Sequence, residues 1–418
     1  MKNKFTKLEK SWILYDVGNS AFILMVTTLI PIIFKANALN NGVEESVSTA
    51  YWGYALTIST IIVAILGPTL GRLADEKDRK KKFFTTFLLM GVLGCALLGF
   101  IANWIAFLLV FLVAKVGFST TNVFYDSMLT DITNDDRSDV ISSHGFAWGY
   151  IGSCIPFIAV IALSLLHDNI GISTNLSNII SFIVIALWWF LCSTPLLRLY
   201  TQEHYIVREK KDSVFSVFKG LGETFNKIKK NKSMFYFLIA FFLYIDAVQT
   251  IITMSTAYGT DVGIDSTQML LALLLTQIIA FPASIVFGKL SRKFRTRRLI
   301  EIDIIGYCCI VLFAVQLDQA WEFWALAVAV ALFQGSIQAL SRSYFSRLVP
   351  KDNSNEYFGI FDIFGKGAAA LGTFMMALVT QITRSSRVGV FALLILLVLG
   401  LIMMLKIPEN DADLKKGM

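Results

Sequence analysis

The stretch Gly71-Arg72-Leu73-Ala74-Asp75-Glu76-Lys77-Asp78-Arg79-Lys80 lies between two long apolar runs. An altered copy, Gly288-Lys289-Leu290-Ser291-Arg292-Lys293, returns half a chain later with a basic continuation to Arg298. A short charged hairpin repeated between pairs of membrane-length segments divides the chain into two related halves. That plan points to a protein that moves a solute between those halves.

The composition names the solvent. Apolar residues make up 56% of the 418 and charged residues only 16%. A soluble core of this length needs a polar coat, so lipid is the covering medium. The net charge of +7 reflects short basic loops rather than a nucleic-acid surface. Cys95, Cys154, Cys192, Cys308 and Cys309 all fall in apolar runs. None has metal-ligand spacing with a His, so they read as small hydrophobes, with no disulfide, metal or cofactor expected. The N-terminus has lysines but no short apolar region ending in a small-residue cleavage site, so the first span is expected to stay in the mature protein.

Apolar runs able to cross a hydrocarbon layer of ~30 Å lie at about 12–35, 48–71, 82–103, 104–130, 140–166 and 177–199. After a polar stretch come 232–259, 266–289, 298–318, 320–346, 355–381 and 386–407, each boundary good to about 2–4 residues. Charge orients them. With a cytoplasmic N-terminus, about 32 of the 37 Lys and Arg residues fall on the cytoplasmic side, as the positive-inside rule requires. Lys35, Arg384 and Arg387 land outside, and Lys115 and Lys366 fall within spans. The expected fold is all-α and integral to the membrane, with twelve transmembrane helices in two pseudo-symmetric six-helix bundles. Residues 1–199 form the first bundle, 200–231 a cytoplasmic linker with an amphipathic helix over 213–229, and 232–418 the second bundle. Both termini are expected in the cytoplasm of a bacterium, with the chain in its plasma membrane.

The halves echo each other beyond the hairpin. Leu14-Tyr15-Asp16 in span 1 matches Leu243-Tyr244-Ile245-Asp246 in span 7, with one residue inserted; Lys115 aligns with Gln334, and Gly145 with Gly359. Parallel six-span repeats with a midplane site at their interface are a known transporter plan. On these residues the chain resembles the major facilitator superfamily. Gly71, Leu73, Asp75, Arg79 and Lys80 match its signature between spans 2 and 3, with Asp78 replacing a later glycine, and Arg292 stands where the second copy has an acid. It is most similar to the vacuole-effluxer-like branch through Asn19-Ser20-Ala21-Phe22, Phe124-Tyr125-Asp126-Ser127-Met128-Leu129 and Gly149-Tyr150. In the second half the similar segments are Val248-Gln249-Thr250-Ile251-Ile252, Ser341-Arg342-Ser343, Phe358-Gly359 and Gly365-Lys366. The resemblance implies the major facilitator fold, alternating access and a monomer. Its fungal members export amino acids from the vacuole.

Ionisable groups inside spans are costly unless they face a partner or a wet cavity. Lys115 sits roughly 16 Å from either end of span 4 at ~1.5 Å per residue. It reads as an anion anchor, or as one half of a structural ion pair. Asp126, 11 residues on, shares its face to within about 20° and reads equally as a cavity group or a cytoplasmic gate charge. Asp16 and Asn19 project from one face of span 1, and Asp246 and Gln249 repeat that spacing on span 7. Desolvation favours the neutral form of such carboxyls, making Asp16 and Asp246 candidates to take up a proton; the bland alternative is a helix-to-helix hydrogen bond. Asp362 and Lys366 can pair along span 11, or Lys366 can face Lys115 across the cavity. Gln277, Gln334 and Gln338 offer neutral hydrogen-bonding groups, and Tyr125, Trp148 and Tyr244 are candidate cavity walls. His144, at the end of span 5, is a helix-end group or a pH sensor.

Gly71, Asp75, Arg79 and Gly288 are expected to gate. Asp75 can lie against the N-terminus of span 11, where the positive helix end favours a carboxylate. No phosphate-binding glycine loop, metal-spaced His pair or Ser-His-Asp set occurs, so no enzyme activity and no ATP-driven step is expected. The leading reading is a secondary transporter of a small polar or zwitterionic solute such as an amino acid, with protons as candidate coupling ion. An amphiphile such as a lysolipid or peptide-like compound is the second reading, and a non-transporting receptor or scaffold on a transporter fold the third. The bilayer and a small molecule are the expected partners, without nucleic acid.

Overall fold

The computed structural model describes residues 4–207, 214–261, 263, 264 and 266–408. The side chains at 45, 46, 49, 50, 214–221, 256, 257, 260, 261, 266, 267, 270 and 366–370 fall outside that description. The first half runs α1 (Lys7–Thr27), α2 (Leu29–Asn40), α3 (Glu45–Ala74), α4 (Lys80–Leu98), α5 (Trp104–Ile132), α6 (Asp135–Leu166) and α7 (Thr174–Leu199). The linker carries α8 (Val214–Lys230). The second half runs α9 (Lys232–Asp261), α10 (Ser266–Leu290), α11 (Thr296–Ala314), α12 (Ala320–Leu348), α13 (Ser354–Thr383) and α14 (Ser386–Leu405).

α1 and α2 together make one span, Lys7–Asn40, interrupted at Thr28. The cause is local. Pro31 has no N–H to give the carbonyl four residues back, and it is tolerated because it falls in the first turn of α2. The Thr27 and Thr28 hydroxyls bond back to Ile23 and Leu24 carbonyls instead. The start of α1 is set by a capping box: the Glu9 N–H donates to Thr6 Oγ1 (3.0 Å) and the Thr6 N–H to Glu9 Oε2 (2.7 Å). Arg137 binds the same Glu9 carboxylate at 2.8 Å, tying the chain start to the α5–α6 turn.

Among the described residues, ten helical segments are long and apolar enough to cross a membrane. α11 and α13 complete twelve. α11 is the more polar because it opens with Arg297, Arg298, Glu301 and Asp303. Each half encloses its own apolar core, one built around Trp12, Phe22 and Trp189, the other around Phe237, Tyr244 and Phe361. The halves meet along two seams, α3 against α13 and α6 against α10, while α12 crosses α5 and α6. The hairpins, the start of α1 and the end of α14 share one side, called here the hairpin face.

Candidate functional site

At the hairpin face the first hairpin docks as its sequence predicts. Asp75 ends α3 and accepts from three donors at the start of α13: the Asn355 N–H (3.0 Å), Asn355 Nδ2 (2.7 Å) and the Glu356 N–H (3.0 Å). The free N–H groups of a helix start and its dipole both favour a carboxylate there. Gly71 permits the approach, since a Cβ at that position would lie 2.5 Å from the Asn355 carbonyl oxygen. Asp78, standing where the signature has glycine, has φ of +60°. An L-residue is strained in that left-handed region, and Asp is among the few that tolerate it. Asp78→Gly is therefore expected to be stabilising by up to ~1 kcal/mol, read as a rise in thermal unfolding midpoint.

The signature arginine behaves differently from the expectation. Arg79 reaches only to Glu76, three residues away (3.0 Å), and stays partly exposed. The residue that crosses is Lys80, which is completely buried. Its Nζ lies 2.8 Å from Asp131 Oδ2 on α5 and 3.2 Å from Ser354 Oγ at the start of α13. Tyr200 (2.5 Å) and His204 Nδ1 (2.9 Å) complete the shell around Asp131. Burial, then the Asp131 charge, pushes the Tyr200 hydroxyl well above its ordinary value, so it remains a donor. The linker thus closes over the first hairpin, with the Ile206 N–H donating to the Asp75 carbonyl at 2.8 Å. α8 reaches the same place: Thr224 Oγ1 donates to Glu356 Oε1 (2.6 Å), a carboxylate also paired with Arg72 of α3.

Burial pushes Asp75 up to about 7, against the downward pull of the Lys80 charge and of the Asn355 and Glu356 donors. Released into water, it returns to ~3.9, so between those values the docked hairpin holds the extra proton. Docking is therefore favoured at low pH and weakens as pH rises through about 7. Protease or thiol access to the hairpin is expected to rise across that window, and Asp75→Asn to flatten the dependence.

The second hairpin holds by other means. Gly288 packs on Ser143 of α6, but Arg292 leaves no acid to cap that helix. α6 supplies its own: Asp139, fully buried, accepts from Ser343 (2.5 Å), Arg347 (2.7 Å) and Thr296 (2.6 Å). In both latches the first half supplies the carboxylate and the second half the donors, so the second departs from the repeat symmetry that would have placed its acid at Arg292.

Deeper, between the halves, lies a cluster that the sequence reading passed over. Arg342 of α12 is 4% exposed. Its Nη1 is 3.0 Å from Asp126 Oδ1 on α5, its Nη2 is 3.7 Å from Asp16 Oδ2 on α1, and its Nε donates to Ser142 Oγ on α6 (2.9 Å). The guanidinium sits over the rings of Trp12 (4.6 Å) and Phe146 (4.5 Å), and Trp12 stacks on Tyr125. Cation–π contact of this kind strengthens when the cation is desolvated. A Cβ at Gly145 would fall 2.9 Å from Asp16 Oδ2 and 3.1 Å from Arg342 Nη2. Gly145→Ala is expected to weaken this closure by about 1–3 kcal/mol, read as faster thiol labelling of a cysteine at Ser142.

Of the predicted residues, Asp16 and Asp126 are thus brought together, through Arg342 rather than through Lys115. Asp362 lies within electrostatic reach of Asp126. Lys115 stands roughly 16 Å further along α5, half-buried, with Nζ 5.1 Å from the Phe118 ring centre. Asn19 ties α1 to α5 through Asn122 (3.0 Å), a bond inside the first half. The expectation that Asp246 faces a chamber shared by the halves is corrected. It is 0% exposed, on the α9–α13 seam, accepting from the Gly372 N–H at 2.8 Å. Gln249 is half-buried one turn away. Tyr125 and Tyr244 are also corrected as cavity walls: both are buried in their own bundle cores, Tyr244 bonded to Ser341 (2.6 Å). An aromatic with its hydroxyl satisfied inside a bundle contributes more by packing there than by facing water. Trp148, 45% exposed, stays at the interface against Phe281 of α10. The Lys366 side chain lies outside the described residues. Gln334 and Gln277 line a cavity of about 90 Å³ within the second bundle, otherwise walled mainly by apolar residues such as Ile251, Ile310 and Leu393.

This arrangement has recognisable relatives. The family described as vacuole effluxer Atg22 like matches residues 6–416. A Bacillus subtilis protein described as the uncharacterized MFS-type transporter YxiO is 44% identical over 417 residues, covering 99% of this chain and 97% of the relative. Autophagy-related protein 22 of Kluyveromyces lactis is 22% identical, covering 94% and 91%. Among solved structures, the proton:xylose symporter XylE superposes with TM-score 0.72 at 10% identity, covering 97% and 96%. The Escherichia coli fucose:proton symporter FucP does so with TM-score 0.72 at 15% identity, covering 97% and 98%. At that identity the two structures speak for the fold alone. The chain is a multi-pass membrane transporter of the major facilitator type, and it belongs to the vacuole effluxer Atg22-like family.

Proposed function

We propose that this transporter moves a small zwitterionic solute, such as an amino acid, by alternating access, with the hairpin face in the cytoplasm of a bacterium and protons as the coupling ion. The observation that carries the reading is the Arg342 cluster. It is a place where both signs of charge meet across the two halves. A solute bearing a carboxylate and an ammonium presents the same two signs, so it can exchange for the protein's own pairs: carboxylate to Arg342, ammonium to Asp16 or Asp126. Exchange of partners opens the contact between halves without leaving a charge stranded in a dry interface, which would cost several kcal/mol. The family's vacuole-effluxer description supports a transporter that exports its solute, and the basic loops on the hairpin face support the orientation. Counterflow in proteoliposomes with a panel of amino acids tests it. Saturable exchange lost in Arg342→Gln is expected; no exchange of any panel member by folded protein would sink the reading.

A second reading, an amphiphilic cargo, draws on the apolar lining of the cavity in the second bundle, where Ile251, Ile310 and Leu393 stand beside Gln277 and Gln334. A lysolipid in the same panel separates the two.

A further inference from the structure

Asp303 and Tyr307 are one helical turn apart on α11, and both are completely buried. Asp303 Oδ1 accepts from Ser336 Oγ of α12 at 2.9 Å. Its other oxygen, and the Tyr307 hydroxyl, are buried without a hydrogen-bond partner. A carboxylate so placed is costly in a membrane interior unless a cation or a proton neutralises it.

The surroundings identify which. The ionisable groups in electrostatic contact with Asp303 are Tyr307 on its own helix and Tyr244 from α9, with Tyr344 of α12 beyond Tyr244 and Tyr150 of α6 beyond Tyr307. Arg347 is committed elsewhere, to Asp139 (2.7 Å) and Thr296 (2.7 Å). α14, the remaining helix against α11, has Arg387 only at its opposite end, paired with Asp318. A metal ion needs a fuller oxygen shell than one carboxylate, a serine and a phenol, and no group of three or more metal-type side chains occurs among the described residues. A proton needs one oxygen.

The position also connects to the latch. Thr296, two turns earlier on α11, donates to Asp139 of the first half, and Arg347 of α12 grips the same carboxylate. The α11–α12 pair that Asp303 and Ser336 join is therefore the pair that holds the second hairpin side shut. In the other direction, Ile310 and Val311, the next turn after Tyr307, line the cavity of the second bundle, where the buried Gln334 Nε2 and Thr250 Oγ1 are also without partners. Tyr307 stands between the carboxyl and that cavity.

We infer that Asp303 is a proton-binding site that controls the Asp139 latch: protonated, it lets α11 and α12 pack and the hairpin face stay shut; deprotonated, it forces the pair apart. This rests on the transporter reading but not on its cargo, and the test needs no solute, so failure of the one does not entail failure of the other. The full chain is reconstituted in liposomes, and infrared difference spectra are taken between acid and alkaline pH. A protonated-carboxyl band sensitive to hydrogen–deuterium exchange is expected in the parent, absent from Asp303→Asn, and restored by Asp303→Glu. In parallel, spin labels at the exposed Asp136 and Lys293, one per half at the hairpin face, report opening. The parent is expected to open as pH rises, and Asp303→Asn to stay shut further into the alkaline range. Asp75 titrates in both proteins, so the difference between the curves reports Asp303. Ser336→Ala, which removes the hydrogen bond and keeps the acid, should shift the band, and it decides the matter if Asp303→Asn fails to fold. Identical bands, or superimposable opening curves, would overturn the inference.

Discussion

Arg342→Met should spring the hairpin face open. The substitution keeps most of the side-chain volume but leaves Asp16 and Asp126 without the cation that now joins them across the halves. Removing one member of a buried ion pair costs about 3–5 kcal/mol, because the remaining charges stay desolvated. Charged to the closed state alone, that is a shift in the open population of at least roughly a hundredfold. The readout is labelling of a cysteine at Ser142, which lies fully buried beneath the guanidinium. A membrane-impermeant thiol reagent should reach it that much faster in the variant. Neutralising all three positions, with Asp16→Asn and Asp126→Asn added, should recover most of the protection. Unchanged labelling in Arg342→Met would mean that the cluster does not latch.

The second large effect is expected at Lys80. Lys80 and Asp131 are both fully buried and 2.8 Å apart, and Ser354 of the second half shares the ammonium. Lys80→Met strands Asp131 among Tyr200 and His204, with an expected loss of about 3–5 kcal/mol. Part of this falls on the first half itself, so thermal unfolding in detergent should drop as well as the gate loosening. Adding Asp131→Leu should return stability toward the parent, since an apolar replacement of a whole buried pair is often tolerated. Arg79→Met is the contrast: its pair with Glu76 is partly exposed and local, made within one turn of chain rather than across the halves, worth about 1 kcal/mol. Equal effects at 79 and 80 would contradict the assignment of the crossing role to Lys80.

Much of this protein is legible along the chain, and the residues show why. The predicted 213–229 amphipathic segment and the observed Val214–Lys230 agree because a 3.6-residue apolar stripe is a local property. The Asp75 contact was legible because a carboxylate and a helix start attract wherever the chain brings them together. Arg342 carried a signal too, as a charge inside the predicted 320–346 span. It lay close enough to the end to pass for a loop charge, and its two acidic partners are more than 200 residues away in sequence. Asp303 was masked the same way by the basic run that opens α11. Asp246 failed in the other direction, since depth in a span does not distinguish a wet face from a dry seam.

The sequence by itself determined where the chain crosses the membrane, that it does so in two related halves, and which short loops carry the charge. Hydrocarbon thickness filters segment length, and a buried backbone must satisfy its own hydrogen bonds, so these are one-dimensional constraints. Only the tertiary structure decided which of the costly charges meet. Helix rotation and the approach of α12 to α1, α5 and α6 place Arg342 between two acids, commit Lys80 to Asp131, and leave Asp303 without a cation. Electrostatic partnership depends on a few ångströms between distant segments, a distance that no spacing along the chain encodes.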